Sequence, residues 1–358
     1  MKWLRRRPTG GNGPATSAPP AAQLKELWQT TIPGDVDNRY LCDLSTGSLF
    51  ASDGWAVAYA ALRIHRLDLR TGAHLADLLT RHQGVSAMAM HQGDLFAATD
   101  SRLFQIRVSD FGVVRQWDKG LVRFTMQLIP AGDRLVAANW LAPSVGIFHL
   151  DTGRTRRLTA ARQPLLFRVG DEVRVIAGFD GGMWTLDLDR SQLTHYQKTA
   201  PIANVAVGEH IWATLAGRRQ GGQGEPPVWT KRGTPTIARL TGDRWTASAK
   251  GPVTKIVCDD RRGVLWCLTT GISAHNLEAI SQRTGEVLAR FEPPSRNGIG
   301  FCHVDPAAGI ALRAESHHEV RGSTLIRSTS TLVCLALPDV GNGHGRPGLS
   351  GPPFVSAS

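Results

Sequence analysis

At 358 residues the chain is long enough for two ordinary domains, and a hydrophobic content of 42% is sufficient for a buried core. Its formal net charge of +11, from 41 basic and 30 acidic residues, would attract nucleic acid, anionic lipid or an acidic protein without selecting among them. The basic start at residues 2–7 is followed by no apolar stretch. This pattern argues against a signal peptide or a membrane-spanning segment and favours a cytoplasmic location.

The cysteine pattern predicts neither a disulfide framework nor a metal centre. None of the five cysteines is part of a C-x-x-C or zinc-type spacing: Cys42, Cys258, Cys267, Cys302 and Cys334. Each lies in an apolar, strand-like run, where a free thiol packs as a small hydrophobic group. An odd number without a framework favours a reducing compartment, and we expect no cofactor.

Along the chain, the first predicted feature is a disordered basic tail at residues 1–22, rich in Gly, Pro, Ala and Ser. Residues 24–32 then predict a β-strand that has no partner in the sequence around it. From residue 39 onward a phrase of the type Leu-Asp-x-x-Thr-Gly returns about every forty residues. Its seven copies begin at Leu67, Ile106, Leu150, Leu186, Arg239, Ile280 and, in a degenerate form, Leu335.

Each repeat predicts four short antiparallel strands. Between the copies, apolar alternation is broken by Gly, Asp and Asn, which is typical of strands and turns. The pattern predicts an all-β fold, a seven-bladed β-propeller of four-stranded blades. The first strands of the blades are predicted to begin near Arg39, Val85, Phe124, Leu165, Ile202, Thr254 and Ile299.

The last repeat supplies a third strand at residues 331–337 but no fourth. The strand at residues 24–32 would complete this blade and cover its open edge, which would otherwise invite aggregation. We therefore expect one propeller over residues 23–340, completed by its N-terminal strand. Residues 341–358 form a second predicted tail, rich in Gly, Pro and Ser.

The polar residues that recur in the phrase are interpreted as residues that stabilise a turn. In the first copy, Asp68 can accept hydrogen bonds from backbone N–H groups that follow it, and Gly72 can adopt the positive φ that a tight turn requires. The aspartate and threonine of the repeat are therefore not predicted to be catalytic.

The phrase at residues 67–72 resembles the repeat of quinoprotein-type (PQQ-like) β-propellers, in which a tryptophan soon after the turn docks between blades. Trp117 and Trp245 are the nearest equivalents here, whereas Leu78 and Leu158 follow other turns. The resemblance implies the fold and no cofactor residue, because the calcium site and vicinal disulfide of quinoprotein dehydrogenases have no counterpart. A resemblance to WD40-like repeats is weaker, since no Trp-Asp pair closes the third strand regularly.

The longest insertions, residues 216–235 and 315–330, join second to third strands and should emerge on one rim of the propeller. The loops that lead into the first strands open on the same rim. There the channel mouth is predicted to carry Asn38, Arg39, His82, Gln83, Arg123, Gln163, Asn204, Lys255 and Asn297. Several of these residues are basic and none is a carboxylate, so an anionic ligand or an acidic peptide is the expected partner.

Each insertion adds its own candidate contacts. Trp229 and Lys231 in the first insertion combine an aromatic ring with a basic side chain, a pattern typical of interface hot spots. His317 and His318 lie in the second insertion. Adjacent histidines in a strand point to opposite faces, and we therefore expect no metal there.

Three functions remain compatible with this sequence, which contains no recognisable catalytic motif. The preferred hypothesis is a non-catalytic, monomeric scaffold that binds a protein or peptide on the insertion rim. A second is an enzyme, a hydrolase, lyase or isomerase, acting on a small anionic metabolite at the channel mouth. A third is a propeller that binds nucleic acid, which only the basic charge suggests.

Overall fold

The structure is a computed structural model that describes these residues: 24–34, 36–53, 63–79, 84–99, 101–118, 125–139, 143–160, 162–178, 181–199, 201–215, 236–241, 246–249, 251–270, 275–294, 300–321 and 324–340. Over these residues the regular elements are 28 β-strands. The two predicted tails fall outside them, so the tails stay predictions.

Apolar residues alternate along the chain and are interrupted by turns, so each repeat folds into an antiparallel blade. One parallel pair, His275↔Gly300, joins the last two blades into a single sheet. Blade 1 contains β2 (Val36–Asp43), β3 (Ser48–Asp53), β4 (Arg63–Asp68) and β5 (His74–Leu79). Blade 2 contains β6 (Ala87–His91), β7 (Asp94–Ala98), β8 (Arg102–Arg107) and β9 (Gly112–Asp118). Blade 3 contains β10 (Thr125–Ala131), β11 (Arg134–Asn139), β12 (Ser144–His149) and β13 (Thr155–Thr159).

The same order continues through the second half of the chain. Blade 4 contains β14 (Pro164–Val169), β15 (Glu172–Ala177), β16 (Met183–Asp187) and β17 (Gln192–Gln197). Blade 5 contains β18 (Ile202–Val207), β19 (Ile211–Leu215), β20 (Thr236–Arg239) and β21 (Thr246–Ser248). Blade 6 contains β22 (Val253–Asp259), β23 (Val264–Thr270), β24 (His275–Ser281) and β25 (Val287–Phe291). The predicted all-β, seven-bladed propeller is confirmed.

Blade 7 is built from both ends of the described chain. Its strands are β26 (Gly300–Asp305), β27 (Ile310–Arg321), β28 (Thr324–Ala336) and, outermost, β1 (Glu26–Pro33). β1 runs antiparallel to β28, with the register Thr30↔Leu332. The predicted closure is therefore confirmed, because the N-terminal strand covers the edge that β28 would otherwise expose.

The hydrophobic core is divided among the gaps between blades. Each of seven clusters of buried side chains combines residues from two neighbouring blades. The cluster that closes the ring packs Trp28 and Leu312 of blade 7 against Leu49 and Leu67 of blade 1. A blade therefore has no core of its own and needs its neighbours to bury its faces.

One predicted insertion proves to be regular structure. Residues 315–330 were expected to form a loop, but they extend the β27–β28 hairpin, and pairing continues to Arg321↔Thr324. The third strand consequently begins at Thr324, seven residues before its predicted start at Thr331. Ser and Thr, which occupy residues 328–331, tolerate an extended backbone, and cross-strand pairing satisfies its hydrogen-bonding groups.

The repeated turn has the predicted chemistry. In blade 1 the Asp68 Oδ1 atom accepts hydrogen bonds from the backbone N–H groups of Arg70 at 3.0 Å and Thr71 at 2.7 Å, and from the Thr71 hydroxyl at 2.8 Å. Gly72 follows with a φ of 71°. These hydrogen bonds stabilise the hairpin, so the role of the Asp68 carboxylate is structural.

Two tryptophans connect neighbouring blades through these turns. Trp28 on the outer strand of blade 7 lies over the blade 1 turn, and its Nε1–H donates to the Leu69 carbonyl at 2.9 Å. A Cβ at Gly72 would lie 2.5 Å from the Trp28 ring. Likewise, Trp117 on the outer strand of blade 2 lies 2.9 Å from where a Cβ of Gly153 in blade 3 would be.

Candidate functional site

The first strands line the channel, and five of them have an irregular register near their starts. The irregularities lie between Val36 and Tyr40, Thr125 and Gln127, Ile202 and Asn204, Val253 and Lys255, and Phe301 and His303. A bulge bends its strand and changes the direction of the side chain that follows it. Polar residues at these positions are thereby directed toward the neighbouring blade.

Three contacts illustrate this arrangement. The Gln127 Oε1 atom accepts a hydrogen bond from the Leu166 N–H at 2.7 Å. The Asn204 amide donates to the Val253 carbonyl at 3.2 Å. The Lys255 Nζ atom lies 3.2 Å from His303 Nδ1. Each contact joins the first strand of one blade to that of the next, so the side chains beside the channel mouth are held in place by the ring itself.

A cavity of about 500 Å³ opens among residues of blade 1 and of blades 3 to 7. Its apolar walls include Met126, Leu165, Ile202, Leu268 and Phe301. Its polar lining consists of Arg39, Gln127, Gln163, Asn204, Thr254, Lys255 and His275. Among the described residues that line it there are two basic side chains and no carboxylate. A few convergent polar groups in an apolar wall are typical of a ligand site.

Burial determines the electrostatics of this cavity. It lowers the pKa of Lys255, although the nearby Cys302, Cys42 and Asp305 act in the opposite direction. Burial also lowers the pKa of His275. Arg39, whose Nη2 lies 3.6 Å from Met126 Sδ, keeps its charge at any accessible pH. Arg39 therefore gives the cavity a positive charge that an anion would complement.

The structure brings together some of the residues predicted from the sequence. Arg39, Gln163, Asn204 and Lys255 all line the cavity, while their role in binding stays a prediction. The backbone of Asn38 lies in β2, and its side chain is outside the description. The remaining candidates at the channel mouth lie outside the described residues: His82, Gln83, Arg123 and Asn297. So does the whole first insertion, residues 216–235, with Trp229 and Lys231.

The two histidines of the second insertion do not join the cavity. His317 is exposed on the extended hairpin and pairs in register with Thr329. His318 lies next to it in β27, and its side chain is not described. Sequence reasoning missed Gln127, His275 and His303, because no short motif marks these positions.

Comparisons with known proteins identify the fold. No protein-family model matches the sequence, and no curated protein does. Among 1020 matching chains of solved structure is the WD40 domain of Neurospora crassa Pan2, with a TM-score of 0.62. The match covers 88% of this chain and 98% of that domain, at 9% sequence identity.

The chain shares the WD40-type β-propeller fold. At this identity the likeness concerns the fold alone, and propellers of this kind carry many unrelated functions. Within the described residues no helix has the length and apolar character needed to cross a membrane.

Proposed function

We propose that this propeller is a non-catalytic scaffold that binds a protein or peptide through the rim on which its cavity opens. The observation that carries the proposal is the pair of basic side chains, Arg39 and Lys255, in a cavity whose described lining contains no carboxylate. An acidic side chain or a terminal carboxylate of the partner would insert there. The remaining contacts would come from the surrounding rim, including residues 216–235, Trp229 and Lys231.

The test measures the binding of fluorescent acidic, neutral and basic peptides to the full chain. We expect acidic peptides to bind and Lys255→Met to weaken them by roughly tenfold, the loss of one charge-assisted hydrogen bond. Lys198→Met is the matched control, because Lys198 is exposed in blade 4, away from the cavity lining. Equal losses in both variants would show that net charge, and not the cavity, attracts the peptides, and would contradict the proposal.

The cavity also favours a second candidate function. A volume of about 500 Å³ suits a small molecule, and a buried lysine with a lowered pKa is a feature of many enzyme sites. The alternative is a hydrolase, lyase or isomerase acting on a small anionic metabolite. Incubation of the chain with a metabolite extract, followed by mass spectrometry, would support it if one anion were consumed by the wild type and not by Lys255→Met.

We also propose that the repeat is of the quinoprotein (PQQ-like) type. The support is the docking of Trp28 and Trp117 on the turns at Gly72 and Gly153 of the adjacent blades. This is the arrangement that the resemblance implies. Trp28 precedes the rest of its blade in the sequence, because β1 is the outermost strand of blade 7.

A cytoplasmic, monomeric state is proposed on two grounds. All five cysteines are free thiols, and three of them, Cys267, Cys302 and Cys334, are buried in the core. Such a set is stable in a reducing compartment. The seven blades bury their faces against one another, so the described fold needs no second copy to complete it. Analytical ultracentrifugation and cell fractionation test these two points.

A further inference from the structure

A cluster of potential metal ligands lies where blade 7 meets blade 1. Cys42 is the penultimate residue of β2, and His303 and Asp305 lie near the end of β26. Their ligand atoms, one each, all lie within 4.8 Å of one another. Thiolate, imidazole and carboxylate are the three ligand types that zinc binds in proteins.

The spacing is close to that of a coordinated ion. The distance from Cys42 Sγ to His303 Nε2 is 3.8 Å. In a tetrahedral zinc site, bonds of about 2.3 Å to sulfur and about 2.0 Å to nitrogen would place these two atoms about 3.5 Å apart. Small side-chain rotations would therefore bring the sulfur and the nitrogen to bonding distance.

Neighbouring groups orient the ligands for this role. His303 is buried, its Nδ1 lies 3.2 Å from Lys255 Nζ, and the Tyr40 ring centroid is 6.0 Å away. These contacts hold the ring with Nε2 toward Cys42. Asp305 Oδ1 accepts a hydrogen bond from the Ala308 N–H at 2.9 Å, which fixes the carboxylate at the end of β26. A carboxylate held by such a hydrogen bond is typical of metal-binding residues.

We propose that Cys42, His303 and Asp305 bind a zinc ion between the first and last blades. The Cys42 thiol gives its proton to solvent as the Zn–S bond forms, and no oxidation is involved. A fourth position is left for water or for an atom of a ligand. The ion would join two strands that are far apart in sequence, contrary to the sequence-based expectation that no metal is bound.

Blade 6 supplies a matched control. Cys258 precedes Asp259 at the end of β22, as Cys42 precedes Asp43 at the end of β2. Its sulfur lies 3.0 Å from Asp260 Oδ1 and 3.1 Å from Gln282 Nε2, and no described histidine joins it in a ligand cluster. Replacing Cys258 therefore removes an equivalent thiol without removing the proposed site.

A second cluster in blade 1 must be distinguished from this one. The Asp77 Oδ1 atom lies 2.6 Å from His65 Nδ1 and 2.7 Å from His74 Nε2, while Oδ2 pairs with Arg63 at 3.4 Å. The carboxylate already has its partners, and a metal would compete with Arg63. His74→Ala tests this location, because His74 is exposed and its loss leaves the core intact.

The experiment strips the full chain with a chelator and then titrates it with Zn²⁺, or with Co²⁺ as a spectroscopic probe. We expect a single zinc ion per chain and a cobalt spectrum with tetrahedral and thiolate charge-transfer bands. Cys42→Ser and His303→Asn should weaken binding by at least roughly tenfold, and Cys42→Ser should remove the charge-transfer band. Cys258→Ser and His74→Ala should leave both unchanged, with circular dichroism as the check on folding.

A readout on the unmodified protein keeps the proposal testable if a variant fails to fold. Zinc should slow the alkylation of Cys42, measured by peptide mass spectrometry, and leave that of Cys258 unchanged. Lack of stoichiometric binding, loss of binding in His74→Ala or Cys258→Ser, or equal alkylation of Cys42 with and without zinc would each overturn the proposal.

Discussion

Gly47 and Gly72 in blade 1 have nearly the same backbone conformation but different surroundings. Gly47 has a φ of 62° and Gly72 a φ of 71°. A Cβ at Gly47 would meet nothing within 4 Å, whereas one at Gly72 would overlap the Trp28 ring. Gly47 is therefore needed only for its turn, whereas Gly72 is needed both for its turn and for close packing against Trp28.

The two substitutions to alanine should therefore differ. Gly47→Ala should lower the free energy of unfolding by about 1 kcal/mol, the cost of a side chain in the left-handed region. Gly72→Ala should lower it by about 2 kcal/mol more, because Trp28 must move. Urea denaturation measures both. In the background of Trp28→Ala, the difference between the two glycine variants should shrink, and an unchanged difference would contradict the packing explanation.

The turn aspartates predict a loss of stability in acid. Burial is the largest single influence on Asp43 and Asp68 and opposes their ionisation, but hydrogen bonds from the Ser45, Thr46, Arg70 and Thr71 groups together outweigh it and lower both pKa values. A carboxylate with a lowered folded-state pKa stabilises the protein above its unfolded pKa of about 3.9, and this contribution is lost as the pH falls through the folded value.

We therefore expect the melting temperature to fall steeply below about pH 4. Asp68→Asn should reduce the melting temperature at pH 7 and flatten this acid dependence, because one titrating group has been removed. Differential scanning calorimetry between neutral and acidic pH measures the effect. An Asp68→Asn variant with the full acid dependence of the wild type would show that other carboxylates cause it.

For single residues, the sequence predicts the roles that depend only on neighbouring positions in the chain. The roles of Asp68 and Gly72 follow from a six-residue phrase, because the turn is made within it. The positions of Arg39 and Lys255 follow from the phase of the repeat. Gln127 and His303 lie three and four residues beyond the predicted starts of their strands, Phe124 and Ile299, so the phase of the repeat alone did not place them at the channel mouth.

Among the elements, β1 closes the ring of blades. It is eight residues long and contributes Trp28 and Ile32 to the cluster between blades 7 and 1. Without it, β28 would present an open edge and the ring would lack one strand. Its role was predictable because the last repeat lacked a fourth strand and an unpaired strand stood at the other end.

Deletion of residues 1–33 should prevent formation of a monomeric, cooperatively folded protein, because the freed edge of β28 can pair with other chains. Deletion of residues 1–22, which leaves β1 intact, is the control and should behave as the full chain. Size-exclusion chromatography and thermal unfolding distinguish the two outcomes. Normal folding without residues 1–33 would show that β1 is dispensable.

The β27–β28 hairpin shows the limit of prediction for elements. Residues 315–330 are polar, and a polar insertion is usually a loop. Here the two arms pair from Ile310↔Ala336 to Arg321↔Thr324, with one irregularity between Glu319 and Val320. Pairing of this kind is decided by the register between two segments, which composition does not reveal.

At the scale of the whole molecule, binding through the net charge of +11 and binding in the cavity should depend differently on salt concentration. Binding by diffuse charge releases counterions, so nucleic-acid affinity would fall by about a thousandfold or more between about 50 and 200 mM salt. An acidic peptide held in the cavity is partly shielded from salt, and its affinity should fall much less.

Fluorescence anisotropy with a duplex oligonucleotide and with an acidic peptide, at both salt concentrations, separates these cases. We expect the peptide affinity to change by less than about tenfold over the range. The nucleic-acid hypothesis requires an oligonucleotide affinity that falls steeply with salt, and an affinity that does not fall would contradict it. Lys255→Met should affect the peptide and not the oligonucleotide.

The closure of the ring by β1 has a consequence for chain connectivity. The Ala336 N–H donates to the Lys25 carbonyl at 2.8 Å, so the two ends of the propeller are adjacent. A short linker from residue 340 to residue 24 would make the chain circular, and new ends could then be opened between blades 3 and 4, at residue 161. Such a permuted chain should fold to the same ring. The present break inside blade 7 is therefore one of several places where this ring could begin.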